Sequence, residues 1–206
     1  MKSEPKNKNA VLSGATRGMG REVSLQLAKA GYNICLLTHN LPDAQALKAA
    51  IEQIGPDCYI YPCKVEDDDE ALATFQTIED RLGSIDLVFT NMGLMPDSAG
   101  YSNKSVAELS GREWRDYLAT ALMGVVNSTR LAVRFMQKNE WGGYILDVAP
   151  WGETAQAKLG LYTTSRGAIR ALVETVNVEN SKIKAYLLQP QAGRTTIAAK
   201  VAQIVQ

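Results

Sequence analysis

A short apolar run, Ala10-Val11-Leu12, leads directly into Ser13-Gly14-Ala15-Thr16-Arg17-Gly18-Met19-Gly20. Residues 22–31 follow with apolar side chains at helical spacing. The pattern reads as strand, glycine turn, helix. In such a turn Gly14 can take positive φ, Gly18 lets a ligand approach the backbone, and Gly20 lets the helix pack close to the strand. The turn aims free backbone N–H groups and the positive end of a helix at one point, which suits a diphosphate.

Apolar runs and helical stripes alternate along the rest of the chain. The pattern predicts strands over 33–38, 58–63, 86–90, 143–148 and 183–188. It predicts helices over 43–54, 67–82, 112–137, 160–178 and 195–205. The strands are apolar without alternation, as in a parallel sheet covered on both faces. The fold class is therefore α/β, a Rossmann-type doubly wound parallel sheet of about six strands with its site at the carboxyl edge. A chain of 206 residues is one domain by length. Residues 1–9 are polar and read as a flexible tail, and 10–206 as a single domain.

Lys plus Arg and Asp plus Glu both number 22, so no basic excess marks a nucleic-acid or membrane-surface partner. No apolar run reaches the ~18 residues of a membrane helix, and the N-terminus lacks a signal peptide's apolar core. Cys35, Cys58 and Cys63 lie in predicted strands, and His39 is the only histidine. That composition gives no metal site and implies reduced, buried thiols in a cytoplasmic protein.

The ordered motifs resemble the short-chain dehydrogenase/reductase family over nearly the whole chain. Residues 13–20 resemble its TGxxxGxG turn, and Thr90-Asn91-Met92-Gly93 its NNAG motif. Residues 143–148 resemble the strand before its catalytic serine, and Tyr162-Thr163-Thr164-Ser165-Arg166 stands where YxxxK would be. The resemblance implies that Gly14, Thr16, Arg17, Gly18, Met19, Gly20, His39, Val65, Asn91 and Gly93 hold a nicotinamide dinucleotide. The end of the second strand, Leu37-Thr38-His39-Asn40, offers no acid for a ribose 2′-OH. Arg17 and His39 can face a 2′-phosphate instead, which favours NADP(H) over NAD(H). Lys64 replaces the Asp of the family's adenine contact.

The family's catalytic set is Asn, Ser, Tyr and Lys. Here the Asn position is Ala121 and the Ser position is Ala149 or Pro150. Tyr162 is kept, and Arg166 stands at the Lys position. The resemblance thus assigns catalysis to Tyr162 as acid/base, with Arg166 at i+4 biasing its charge. The expected activity is NADP(H)-dependent reduction of a carbonyl, or the reverse oxidation, on a small-molecule substrate. The alternative is a protein that keeps the fold without hydride transfer, either a regulatory or assembly partner that binds a nucleotide or metabolite, or no cofactor, or a non-redox isomerase, dehydratase or cyclase. Asp147 and Glu153 flank the lost serine position as further candidate acids. The family's habit implies a homodimer through the long helices at 112–137 and 160–178.

Overall fold

The computed structural model describes residues 8–92, 104–148, 155–189 and 196–205. Lys8–Ser13 (β1), Tyr32–Leu37 (β2), Cys58–Tyr61 (β3), Leu87–Thr90 (β4), Gly143–Val148 (β5) and Ile183–Leu188 (β6) form one sheet. Its order is β3-β2-β1-β4-β5-β6, and every neighbouring pair is parallel. The order reverses between β1 and β4. A crevice at the carboxyl ends of those two strands is where such sheets take ligands.

Among the described residues, seven α-helices cover the faces: Gly18–Lys29 (α1), Leu41–Glu52 (α2), Asp68–Leu82 (α3), Gly111–Leu118 (α4), Gly124–Met136 (α5), Gly160–Glu179 (α6) and Ile197–Ile204 (α7). Successive strand residues feed opposite cores, as the pleat requires. Ala10 and Leu12 of β1 pack with α1, α2 and α7 through Val23, Leu27, Leu47 and Val201. Val11 packs with α3, α5 and α6 through Phe75, Phe135 and Ile169. No helix of the described residues is long and apolar enough to cross a membrane.

Several boundaries depart from the sequence reading. Lys8 and Asn9, expected in the tail, belong to β1. Asn9 is buried because its polar groups are all matched there. Its backbone N–H donates to Asp86 Oδ2 at 2.8 Å, and its amide donates to the Ser84 carbonyl at 3.1 Å. Asn33 donates to its Oδ1 at 3.0 Å. Ser84 and the Trp141 indole, at 2.8 and 2.7 Å, complete the Asp86 carboxylate. The third strand stops at Tyr61, because Pro62 has no N–H to give the ladder, so Cys63 lies beyond it. The helix expected over 112–137 is interrupted by a π turn at Ala119–Met123. Gly124 follows directly, and a Cβ there would lie 3.2 Å from Val65 and 3.4 Å from Met92. The widened turn and the missing side chain together let α5 rest on the loop after β3.

All three cysteines are free and buried. Burial pushes the Cys35 and Cys58 thiols up to about 12, so neither is a nucleophile near neutral pH.

Candidate active site at the carboxyl edge

The glycine turn has the geometry its sequence demands. Gly14 has φ +63° and lies so close to the end of β4 that a Cβ would fall 2.1 Å from the Asn91 carbonyl oxygen. Gly20 faces back on the turn, where a Cβ would fall 2.2 Å from the Gly14 oxygen. Gly18 has φ +50° with nothing within 4 Å of a Cβ, so its face of the turn is open to a ligand. Asn91 ties the two strand ends together. Its N–H donates to Ser13 O at 3.1 Å and its amide to Gly14 O at 3.2 Å. Arg17 caps α1 in extended conformation with no side-chain cap bond. The first amides of α1, from Gly18, Met19 and Gly20, thus have no side-chain cap among the described residues, as an anion site beside Thr16 would require. Gly14→Ala should cost about 3 kcal/mol or more in urea unfolding, from overpacking plus left-handed strain. A loss below about 1 kcal/mol would show that the Asn91 segment gives way.

The start of α2 holds an acid that the sequence reading missed. Asp43 forms an ion pair with Arg17 and accepts from the Asn40 amide at 2.9 Å. The signal was the cap: Asn40 accepts from Asp43 N at 3.3 Å, which starts α2 two residues before the expected 43 and turns Asp43 back toward the glycine turn. The acid was sought at the strand end, and the helix supplies it. Arg17 stays exposed. His39 is exposed and lies 3.9 Å from Glu70, and Lys64 faces solvent. Val65 is buried, and Asn127 of α5 donates to its carbonyl at 3.1 Å, pinning the loop to the helix.

Tyr162 and Arg166 share one face of α6 and are brought together. Tyr162 is 1% exposed and Arg166 5%, with the guanidinium carbon 5.2 Å from the ring centroid. Arg166 Nη1 donates to the carbonyl of Val148, the last residue of β5, at 3.2 Å. That bond holds the pair at the carboxyl edge. Arg166 Nε and Nη2 and the Tyr162 hydroxyl have no hydrogen-bond partner among the described residues. Burial raises the Tyr162 pKa, and the Arg166 charge opposes that only in part. The phenol is therefore held protonated, a proton donor rather than a phenolate.

A second phenol enters this cluster from α4. Tyr117 is 1% exposed, one helical turn before the buried Ala121. Burial raises its pKa, against the Arg166 charge and a hydrogen bond with Ser165. Its sequence signal was weak, since a lone Tyr on an amphipathic helix reads as core. Gly93, Ala149, Pro150 and Glu153 lie outside the described residues. No three His, Cys, Asp or Glu side chains among the described residues are grouped to hold a metal ion.

Comparison with known proteins agrees with this fold. The chain is 30% identical over 182 residues to the 3-oxoacyl-[acyl-carrier-protein] reductase FabG of Staphylococcus aureus, covering 82% of this chain and 72% of that one. The fold superimposes on an alcohol dehydrogenase from the archaeon Thermococcus sibiricus, complexed with 5-hydroxy-NADP. The TM-score is 0.81 at 22% identity, over 97% of this chain and 89% of that chain. An NAD+-bound xylitol dehydrogenase gives 0.79 at 24% identity, over 89% and 69% of the two chains. The short chain dehydrogenase family matches residues 8–205, from the first residue of β1 to Val205, the residue after α7. A match of that extent, on a sheet of this strand order, makes the chain a member of the short-chain dehydrogenase family.

Proposed function

We propose that this protein reduces a carbonyl group on a small-molecule substrate with NADP(H), and that Tyr162 is its proton donor. The observation that carries the reading is a conjunction. An uncapped, glycine-lined helix N-terminus and a buried phenol–guanidinium pair share the carboxyl edge of one sheet. The turn suits the dinucleotide: positive φ at Gly14 and Gly18 and free amides at the start of α1 are what a diphosphate needs. Gly14, Gly18 and the first amides of α1 would hold a nicotinamide dinucleotide, which when bound would provide the hydride for the carbonyl carbon. Tyr162 then supplies the proton to the carbonyl oxygen, which its raised pKa favours over the reverse oxidation. Arg166 steadies the phenol's charge as the proton leaves. Relatives carrying NADP and NAD+ both support a nicotinamide cofactor. Arg17 argues for a 2′-phosphate and Asp43 for a ribose hydroxyl, so the two cofactors should differ modestly.

A second reading rests on the burial of Tyr162 and on Ala121, which cannot hold the polar group the family has there. In that reading the protein binds a nucleotide and turns nothing over.

Thermal shift with NADPH and NADH, followed by a panel of ketones and aldehydes, separates the two. A cofactor at 100-fold above its Kd should add about 2.7 kcal/mol of stability. No shift with either cofactor overturns both readings, and a shift without turnover selects the second. Arg17→Ala should weaken NADPH about tenfold and leave NADH within a factor of three, as loss of one exposed charge contact implies. Equal effects on both would mean that Arg17 does not meet the 2′-phosphate.

A further inference from the structure

Three strand ends carry polar residues side by side. Ser13 of β1 is in register with Thr90 of β4, and Thr90 with Asp147 of β5. All three lie on the face covered by α5 and α6, and Asp147 is fully buried. Its Oδ2 accepts from Thr129 Oγ1 of α5 at 3.1 Å, while Oδ1 has no hydrogen-bond partner among the described residues. A buried carboxylate with so little support is costly, so something must offset it. The cation is Arg166 of α6, fastened by its Nη1 to the carbonyl of Val148, the next residue along β5. The other elements packed on Asp147 bring hydroxyls, from Thr90 and Thr129, and the side chain of Leu187 from β6. Beyond Arg166 stand the phenols, Tyr162 on its own helix and Tyr117 from α4. The charge of one guanidinium thus acts on one buried carboxyl group and two buried phenols.

We propose that Asp147 is a positioning residue for the Tyr162 phenol: through Arg166, it sets how much positive charge the guanidinium presents to Tyr162 and Tyr117. When Asp147 is protonated, the full field of Arg166 falls on the phenols and Tyr162 gives up its proton more readily. When Asp147 is ionised, it draws on the same charge, and Tyr162 holds its proton more tightly. Burial pushes the Asp147 carboxyl up to about 7, against smaller opposing effects of Thr90, Thr129 and Arg166. The exchange therefore falls near neutral pH. The inference builds on Tyr162 as the proton donor, but it concerns only groups of this chain and is testable without cofactor or substrate.

The test is ring-carbon NMR of the protein labelled on tyrosine, through a pH titration. The Tyr162 signal is identified by its loss in Tyr162→Phe. In the wild type it should step near pH 7, well below its own ionisation. In Asp147→Asn that step should vanish, and Tyr162 should ionise about 1 unit lower, the small end of what a neighbouring charge does. Asp147→Ser serves if the Asn variant does not fold, and the wild-type step needs no Asp147 variant at all. A flat Tyr162 signal through neutral pH in the wild type overturns the proposal, as does a step that survives in Asp147→Asn or Asp147→Ser. Failure to bind NADPH would overturn the redox reading and leave this result standing. A flat titration would do the reverse.

Discussion

Tyr162→Phe should lower turnover of any carbonyl substrate by about 10²- to 10⁴-fold, the usual worth of a positioned acid. It should do so without weakening the fold. The lost hydroxyl is buried and has no hydrogen-bond partner among the described residues. Removing such a group is neutral or stabilising, by up to about 1 kcal/mol. A structural tyrosine whose hydroxyl braced the core would behave in the opposite way, losing stability together with activity. Steady-state kinetics and urea unfolding of the same preparation read both quantities. Full activity in Tyr162→Phe would place the proton donor elsewhere. Lost activity with a fold weakened by more than about 1 kcal/mol would make the residue a core phenol.

The second large effect concerns Asp147→Asn and its dependence on pH. The folded-state pKa of Asp147 is about 7 against an ordinary 3.8. Because it is raised, the folded state binds the proton more tightly than the unfolded chain does. The associated stability is fully present below the ordinary value and is lost as pH rises through about 7. A shift of this size is worth on the order of 4 kcal/mol, or about 10 °C in Tm for a chain of this length. Asn cannot ionise, so the difference between variant and wild type should be near zero at pH 4 and should favour the variant by several kcal/mol at pH 8. The comparison at each pH cancels groups with the opposite trend, such as Glu113, held down to about 2 by Lys104 and the Ser110 cap. One effect competes. Removing one member of a buried charge pair strands the other, which commonly destabilises by about 3–5 kcal/mol. Desolvation outweighs Arg166 at Asp147, so the variant should gain. A variant less stable than wild type at pH 8 would mean that the Arg166 charge outweighs desolvation at this site.

The fold was legible in the sequence because its signals are local. Each β-strand reads as an apolar run and each helix as a stripe, and Gly14, Gly18 and Gly20 announce the first turn from their spacing alone. Two of the misreadings left no local signal. Asn9 looks like tail until Asp86, Ser84 and Asn33, all distant in sequence, satisfy its polar atoms. The π turn at Ala119–Met123 keeps the apolar stripe in phase on both sides, so no periodicity betrays it.

The site divides in the same way. The i, i+4 spacing of Tyr162 and Arg166 fixed that phenol and guanidinium share a helix face, since a helix is a local object. The sequence therefore determined the sheet, the glycine turn and this pair. Only the tertiary structure decided the proton on the phenol. Burial is a property of everything packed around a group, and here it outweighs the neighbouring charge at Tyr162 and Asp147 alike. It also brought Tyr117, Asp147 and Asp43 to the two cations, from strands and helices whose meeting depends on long-range packing that no short stretch of chain encodes.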